Sequence, residues 1–126
     1  MKFEHFALNV SDARAAALWY VDHLSMRIMR RREDPPYTHF LADETGRVIM
    51  EFYTNTAAAV PDYSAHHPLS FHIAFVVEDP AATKSRLIGA GASEAYDEGL
   101  PDGTILLMVR DPWGVPLQII RRAHPF

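Results

Sequence analysis

The chain contains no cysteine. Disulfides, thiolate zinc sites and a cysteine nucleophile are therefore excluded, and the absence suits a reducing compartment. An excess of one charge is also missing. Lys and Arg number 12, Asp and Glu 16, and the net charge of −4 is spread over interleaved acids and bases. With no basic stripe, nucleic acid is not expected as a partner. No apolar run reaches membrane-spanning length; the stretch at 15–21 is short and helical in character. The first residues enter a strand-like pattern at 2–10 without the long apolar core of a signal peptide. The expectation is a cytoplasmic protein that does not engage a membrane.

What is present is the composition of a soluble globular domain. The 126 residues are 48% apolar and 22% charged, enough for one domain with a real core. Arg30, Arg31 and Arg32 form a short basic run, followed at once by Glu33 and Asp34, and read as a solvated strand edge.

Four polar residues share one spacing. His5 and Glu51 are 46 positions apart, as are His72 and Gln118; the first pair precedes the second by 67 positions. At that shift, His5-Phe-Ala7-Leu-Asn-Val10-Ser-Asp12 falls on His72-Ile-Ala74-Phe-Val-Val77-Glu-Asp79. His, Ala, Val and Asp match in identity, and the apolar positions between them match in character. Self-similarity at a fixed shift is the signature of duplication.

Each half reads β-α-β-β-β. Strands are predicted at 3–10, 26–32, 37–42 and 47–54, and again at 69–77, 93–97, 104–110 and 115–121. The helices are predicted at 12–24 and 80–89, each opened by an Asp N-cap, Asp12 or Asp79, with Pro80 at the first helical position of the second. In the first helix Ala15, Leu18, Trp19 and Leu24 lie at helical spacing. The fold class is α+β: two tandem βαβββ modules, at 1–54 and 69–126, joined by a connector at 55–68. They are expected to form a cupped mixed sheet with helices on its outer face.

Side chains alternate along a strand. His5 sides with Ala7 and Asn9, His72 with Ala74 and Val76, Glu51 with Ile49 and Tyr53, and Gln118 with Pro116 and Ile120. In each strand the larger apolar set lies on the other face, where a helix would cover it. The four polar residues are thus expected on the concave side, next to small neighbours that leave room for a ligand. An ionised Glu within Val48-Ile-Met-Glu51-Phe-Tyr53 is costly to bury alone, and a cation would remove that cost. Two imidazoles, a carboxylate and an amide oxygen suit one divalent ion of Zn, Ni, Co, Mn or Fe(II) better than Ca or Mg.

These features resemble the vicinal oxygen chelate superfamily, the glyoxalase/bleomycin resistance protein/extradiol dioxygenase group. The resemblance spans nearly the whole chain. It rests on His5-Phe-Ala-Leu-Asn-Val, Arg47-Val-Ile-Met-Glu51-Phe, Phe71-His72-Ile-Ala-Phe and Asp111-Pro-Trp-Gly114-Val-Pro-Leu-Gln118. It implies a divalent metal that chelates two neighbouring oxygens of a small substrate. It places His5, Glu51, His72 and Gln118 on the metal-ligand positions, and it implies a homodimer. Asn55 stands where glyoxalase members carry an Asn that contacts glutathione; Asn9 stands where they carry an Arg.

The activity expected is a glyoxalase-like lyase or isomerase, with Glu51 as the group that moves a proton. Two other readings stay open. One is an Fe(II) extradiol-type dioxygenase using His5, His72 and Glu51; the other is a non-catalytic drug-binding protein. Arg30, Tyr37, His39, Tyr53, Met108 and Arg110, with Asn9 and Asn55, are the expected lining of the cup.

Overall fold

Backbone hydrogen bonding closes within each half of the chain. In a computed structural model describing residues 1–126, the chain divides into two compact units, Met1–Pro61 and Asp62–Phe126. The first holds β1 (Phe6–Asn9), α1 (Ala13–Leu24), β2 (Arg27–Arg31), β3 (His39–Ala42) and β4 (Val48–Tyr53). The second holds a 3-10 turn (Tyr63–Ala65), β5 (Ile73–Val76), α2 (Pro80–Gly89), β6 (Ser93–Gly99), β7 (Ile105–Arg110) and β8 (Pro116–Arg121). Each unit has its own four-stranded mixed sheet, in the orders β1-β4-β3-β2 and β5-β8-β7-β6. The βαβββ duplication expected from the sequence is thus the observed architecture. No helix is long and apolar enough to cross a membrane.

In both sheets the first strand lies at an edge, parallel to the last strand, and the other pairs are antiparallel. Glu51 and Gln118 therefore sit on inner strands, hydrogen-bonded on both sides. The ladders begin at Phe6 and Ile73. His5 and His72 each come one residue earlier than the paired segment, so both edge strands are shorter than the hydrophobic pattern suggests.

Both helices start where their Asp residues put them. The Asp12 and Asp79 carboxylates accept from Ala15 N–H and Ala82 N–H, each at 3.0 Å. Pro80 takes the first turn of α2, and Ser25, in the left-handed region at φ 56°, ends α1. The buried stripe of α1 differs from the expected one. Ala13, Ala16, Ala17, Trp19 and Tyr20 are buried, whereas Ala15 and Leu18 face out. The alanines let the helix approach the sheet closely, and the Tyr20 ring meets Phe52 edge-on at 4.8 Å. Leu41, Met50 and Phe52 are fully enclosed on this helix side. In the second unit Leu87 of α2, with Val109, Leu117 and Ile119 of the sheet, forms the corresponding layer.

Residues 55–68, expected as one surface connector, divide between the units. Asn9 holds the first part. Its side-chain amide donates to the carbonyls of Asn55 (3.0 Å) and Ala58 (3.1 Å) and accepts from Asn55 N–H at 2.8 Å. Arg110 holds the second. Its guanidinium donates to the carbonyls of Tyr63 and Gly114, both at 3.1 Å, and His66 at 2.6 Å. The 3-10 turn itself was not anticipated. Asp62 caps it, accepting from Ser64 N–H at 3.1 Å and Ala65 N–H at 3.3 Å.

Gly114 lets this arrangement close. Its φ is +84°, and a Cβ there would stand 2.9 Å from the Ser64 nitrogen. Gly103, at φ +90°, has open space around the same position. Gly103→Ala should therefore cost only the left-handed backbone penalty, about 1 kcal/mol, and Gly114→Ala clearly more; urea unfolding of the two variants measures the difference. The Asp62 carboxyl is held below its ordinary range, chiefly by the Ser64 hydroxyl and then by the Ala65 and Ser64 amides. A depressed carboxyl stabilises the fold above its unfolded-state value, and that stability is lost as pH falls through the folded one. Asp62→Asn should reduce the loss of stability seen below about pH 4, as read by thermal melts across pH.

Candidate functional site

Glu51 and Gln118 each stand on the side of their sheet away from the helix. In the first unit Glu51 stands in a lateral row, with Ala7 of β1 on one side and Phe40 of β3 on the other. Its chain neighbours Met50 and Phe52 point into the core. The alternation thus forces the carboxylate onto the open face. His5 leans over it, with Nε2 3.2 Å from Glu51 Oε2, and its ring meets Phe40 edge-on at 5.2 Å. Their side chains are only 25% and 16% exposed, so the pair is poorly hydrated. No Lys or Arg pairs with this carboxylate. His5 Nδ1 lies 2.9 Å from Glu4 Oε2, but out of line, so this buried atom has no hydrogen bond.

In the second unit the corresponding row is Ala74, Gln118, Met108 and Tyr96. Gln118 is 7% exposed, and no group of its unit caps its side-chain amide. His72 Nδ1 lies 3.1 Å from the Pro68 carbonyl. Donation from Nδ1 places the free lone pair on Nε2, the form in which an imidazole binds a metal.

These observations bear on whether a divalent ion fits. Two donors bound to one ion at about 2.1 Å stand about 3.0–3.4 Å apart in octahedral or tetrahedral geometry. The His5–Glu51 separation of 3.2 Å falls in that interval. An uncapped amide and an imidazole anchored through Nδ1 are compatible donors in the second unit. Neither unit gathers three or more His, Asp or Glu residues that could hold an ion; the first unit brings His5 and Glu51 together.

The residues expected to line the cup separate into three groups. Tyr53 and Arg30 share the Glu51 face, and Met108 that of Gln118. Asn9 and Arg110 are engaged with backbone carbonyls of the divided connector, and the Asn55 side chain accepts from Ala57 N–H at 2.9 Å. Their polar groups hold loops. His39 and Tyr37 are misplaced by the expectation. His39 is in register with Phe52, on the helix side, buried, with Nδ1 2.6 Å from the Tyr37 carbonyl. The Tyr37 ring lies under the Arg14 guanidinium of α1 at 4.3 Å. For His39 a one-residue difference in strand register separates the two faces, and residues 37–42 alone do not reveal it; Tyr37 lies in the turn before β3, outside any strand face. Phe40 and Tyr96 were missed. Their signal was the alternation opposite His39 for the one, and for the other a bulge that no sequence pattern marks.

The chain matches the model of the glyoxalase/bleomycin resistance protein/dioxygenase superfamily over residues 2–119. It is 30% identical to the lactoylglutathione lyase of Haemophilus influenzae over 125 residues, covering 95% of this chain and 92% of that protein. The lactoylglutathione lyase of Salmonella typhimurium is 28% identical with the same coverage. Among solved structures, SMU.1112c superposes with a TM-score of 0.70 at 25% identity, covering 96% of this chain and 98% of that one. Glyoxalase I from Zea mays shares the fold at a TM-score of 0.74 and 20% identity, this chain spanning 45% of it. With its duplicated βαβββ units, this chain belongs to the glyoxalase/bleomycin resistance protein/dioxygenase superfamily.

Proposed function

We propose that this chain is a metal-dependent lyase of the glyoxalase type, in which His5, Glu51, His72 and Gln118 are the ligands of one divalent ion. The observation that carries the reading is the close approach of His5 Nε2 to Glu51 Oε2 on the open face of the first sheet. The donor set suits Zn, Ni, Co, Mn or Fe(II). The resemblance that names four ligands also implies a homodimer, which is taken as the working form. When bound, the ion supplies Lewis acidity, polarising a substrate carbonyl and acidifying the adjacent C–H.

The chain's own residues do the rest. Glu51 is the one carboxylate among the four. It accepts the proton from carbon and returns it to the neighbouring carbon, while the hydroxyl proton of the first carbon passes to the oxygen of the second, which completes an isomerisation without net change in charge. Gln118 has no titratable proton and serves only to coordinate and position. His5, held edge-on by Phe40, keeps the carboxylate directed at the open face. Phe40 and Ala7 leave this face apolar, which limits hydration of the carboxylate. The names of the relatives make the hemithioacetal of glutathione and a 2-oxoaldehyde the first substrate to assay.

Glu51→Gln keeps a coordinating oxygen and removes the base. Turnover should fall by at least about 100-fold while the metal content, measured by elemental analysis, stays near one ion per chain. Full activity in this variant refutes the role of Glu51. His72→Ala should lower metal content and activity together, and sedimentation at micromolar concentration checks the homodimer. Chelation of the metal should abolish turnover, with restoration on adding back one of the five ions.

A further inference from the structure

The lateral row through Glu51 does not end at Phe40. It continues to Arg30 on β2, the outer strand of the first sheet. Arg30 reaches that place through an irregularity. Ile28 pairs with Leu41, and the next pair is Arg30 with Phe40, so Met29 is the additional residue of a β-bulge. In an unbroken ladder Met29 would stand opposite Phe40 and Arg30 would fall in the His39 row, on the helix side. The bulge brings Arg30 onto the Glu51 face instead. Bulges re-aim side chains in this way and are frequent beside active sites.

The charge around Arg30 is unusual for its segment. Arg31 is paired with Glu33 at 2.7 Å and Arg32 with Asp34 at 2.6 Å. Both acids of the run are thus engaged. Arg30, exposed and next in sequence, forms no ion pair. It is a free guanidinium, and its Cα lies two strand steps from that of Glu51, roughly 10 Å away. Between their strands stands Phe40, whose ring meets the His5 ring edge-on and offers an apolar floor.

We infer that Arg30 is a specificity residue that binds a carboxylate of the substrate, at the far end from the oxygens presented to Glu51. The preferred substrate class is then a small molecule with vicinal oxygens at one end, a short apolar spacer over Phe40, and an anionic group at the other. A guanidinium fork suits a carboxylate bidentately. This inference rests on the proposed function, because it takes the Glu51 end as the reacting end.

Two 2-oxo acids of equal length separate the cases. 2-Oxoadipate and 2-oxohexanoate have the same vicinal oxygens and differ in whether the far end is a carboxylate or a methyl. Calorimetry on the metal-loaded protein should show 2-oxoadipate binding about tenfold more tightly, the worth of one charge-assisted contact. Arg30→Gln should remove that preference, Arg30→Lys should keep part of it, and binding of 2-oxohexanoate should be unchanged in both. A preference that survives in Arg30→Gln, or none in the wild type, overturns the assignment of Arg30. Metal content is measured on the same samples. An Arg30-dependent preference in protein that takes up no metal supports Arg30 and overturns the metal reading alone. Full metal with no preference overturns Arg30 alone, and the absence of both overturns the two together.

Discussion

A carboxylate in the middle of an inner strand, between two fully enclosed side chains, is the constraint on which the first unit turns. Met50 and Phe52 anchor β4 to the helix layer, and the pleat leaves Glu51 one direction only. Everything beside it is then determined by register. Ala7 gives space, Phe40 gives an apolar wall, and His5 supplies the nearest polar contact. The fold provides a carboxylate that no Lys or Arg pairs with and whose polar side-chain contact is the His5 imidazole, a sparse environment for a largely buried charge. A divalent cation completes it in the reading advanced above.

The second unit repeats the scaffold with altered chemistry. Gln118 occupies the place of Glu51 and Met108 that of Phe40. A neutral amide tolerates burial that a carboxylate resists, in keeping with its low exposure. The bulge is also repeated, between Glu94 and Tyr96, and places Tyr96 at the end of the row where Arg30 stands in the first unit. Duplication thus preserved the geometry of both rows while the side chains in them diverged, from acid to amide and from guanidinium to phenol.

Much of this was legible beforehand. The shift of 67 residues exposed the repeat, because equivalent strands need equivalent patterns. The Asp N-caps located both helices, since a carboxylate there satisfies a free amide regardless of tertiary context. The faces of β1, β4, β5 and β8 followed from alternation in strongly apolar strands. Less was legible where the answer depended on neighbours. The stripe of α1 favours alanines over Leu18, because close approach to the sheet outweighs side-chain size. His39 falls on the helix side because its own strand does not fix the register, and Tyr37 falls in a turn that the strand-like pattern of 37–42 conceals. Asn9 and Arg110 have the residue types of a binding site, yet their hydrogen bonds go to backbone carbonyls of the segment between the modules. Such long-range bonds leave no periodic trace in the chain.

The four spaced residues differ in how firmly the backbone holds them. Glu51 and Gln118 are clamped between two partner strands, whereas His5 and His72 lie just ahead of the first rung of an edge strand. The carboxylate and the amide therefore sit on stiffer backbone than the two imidazoles. In the metal reading proposed above, each unit would meet an ion of different radius by moving its imidazole, so tolerance in the choice of metal would follow from strand topology as much as from the identity of the ligands.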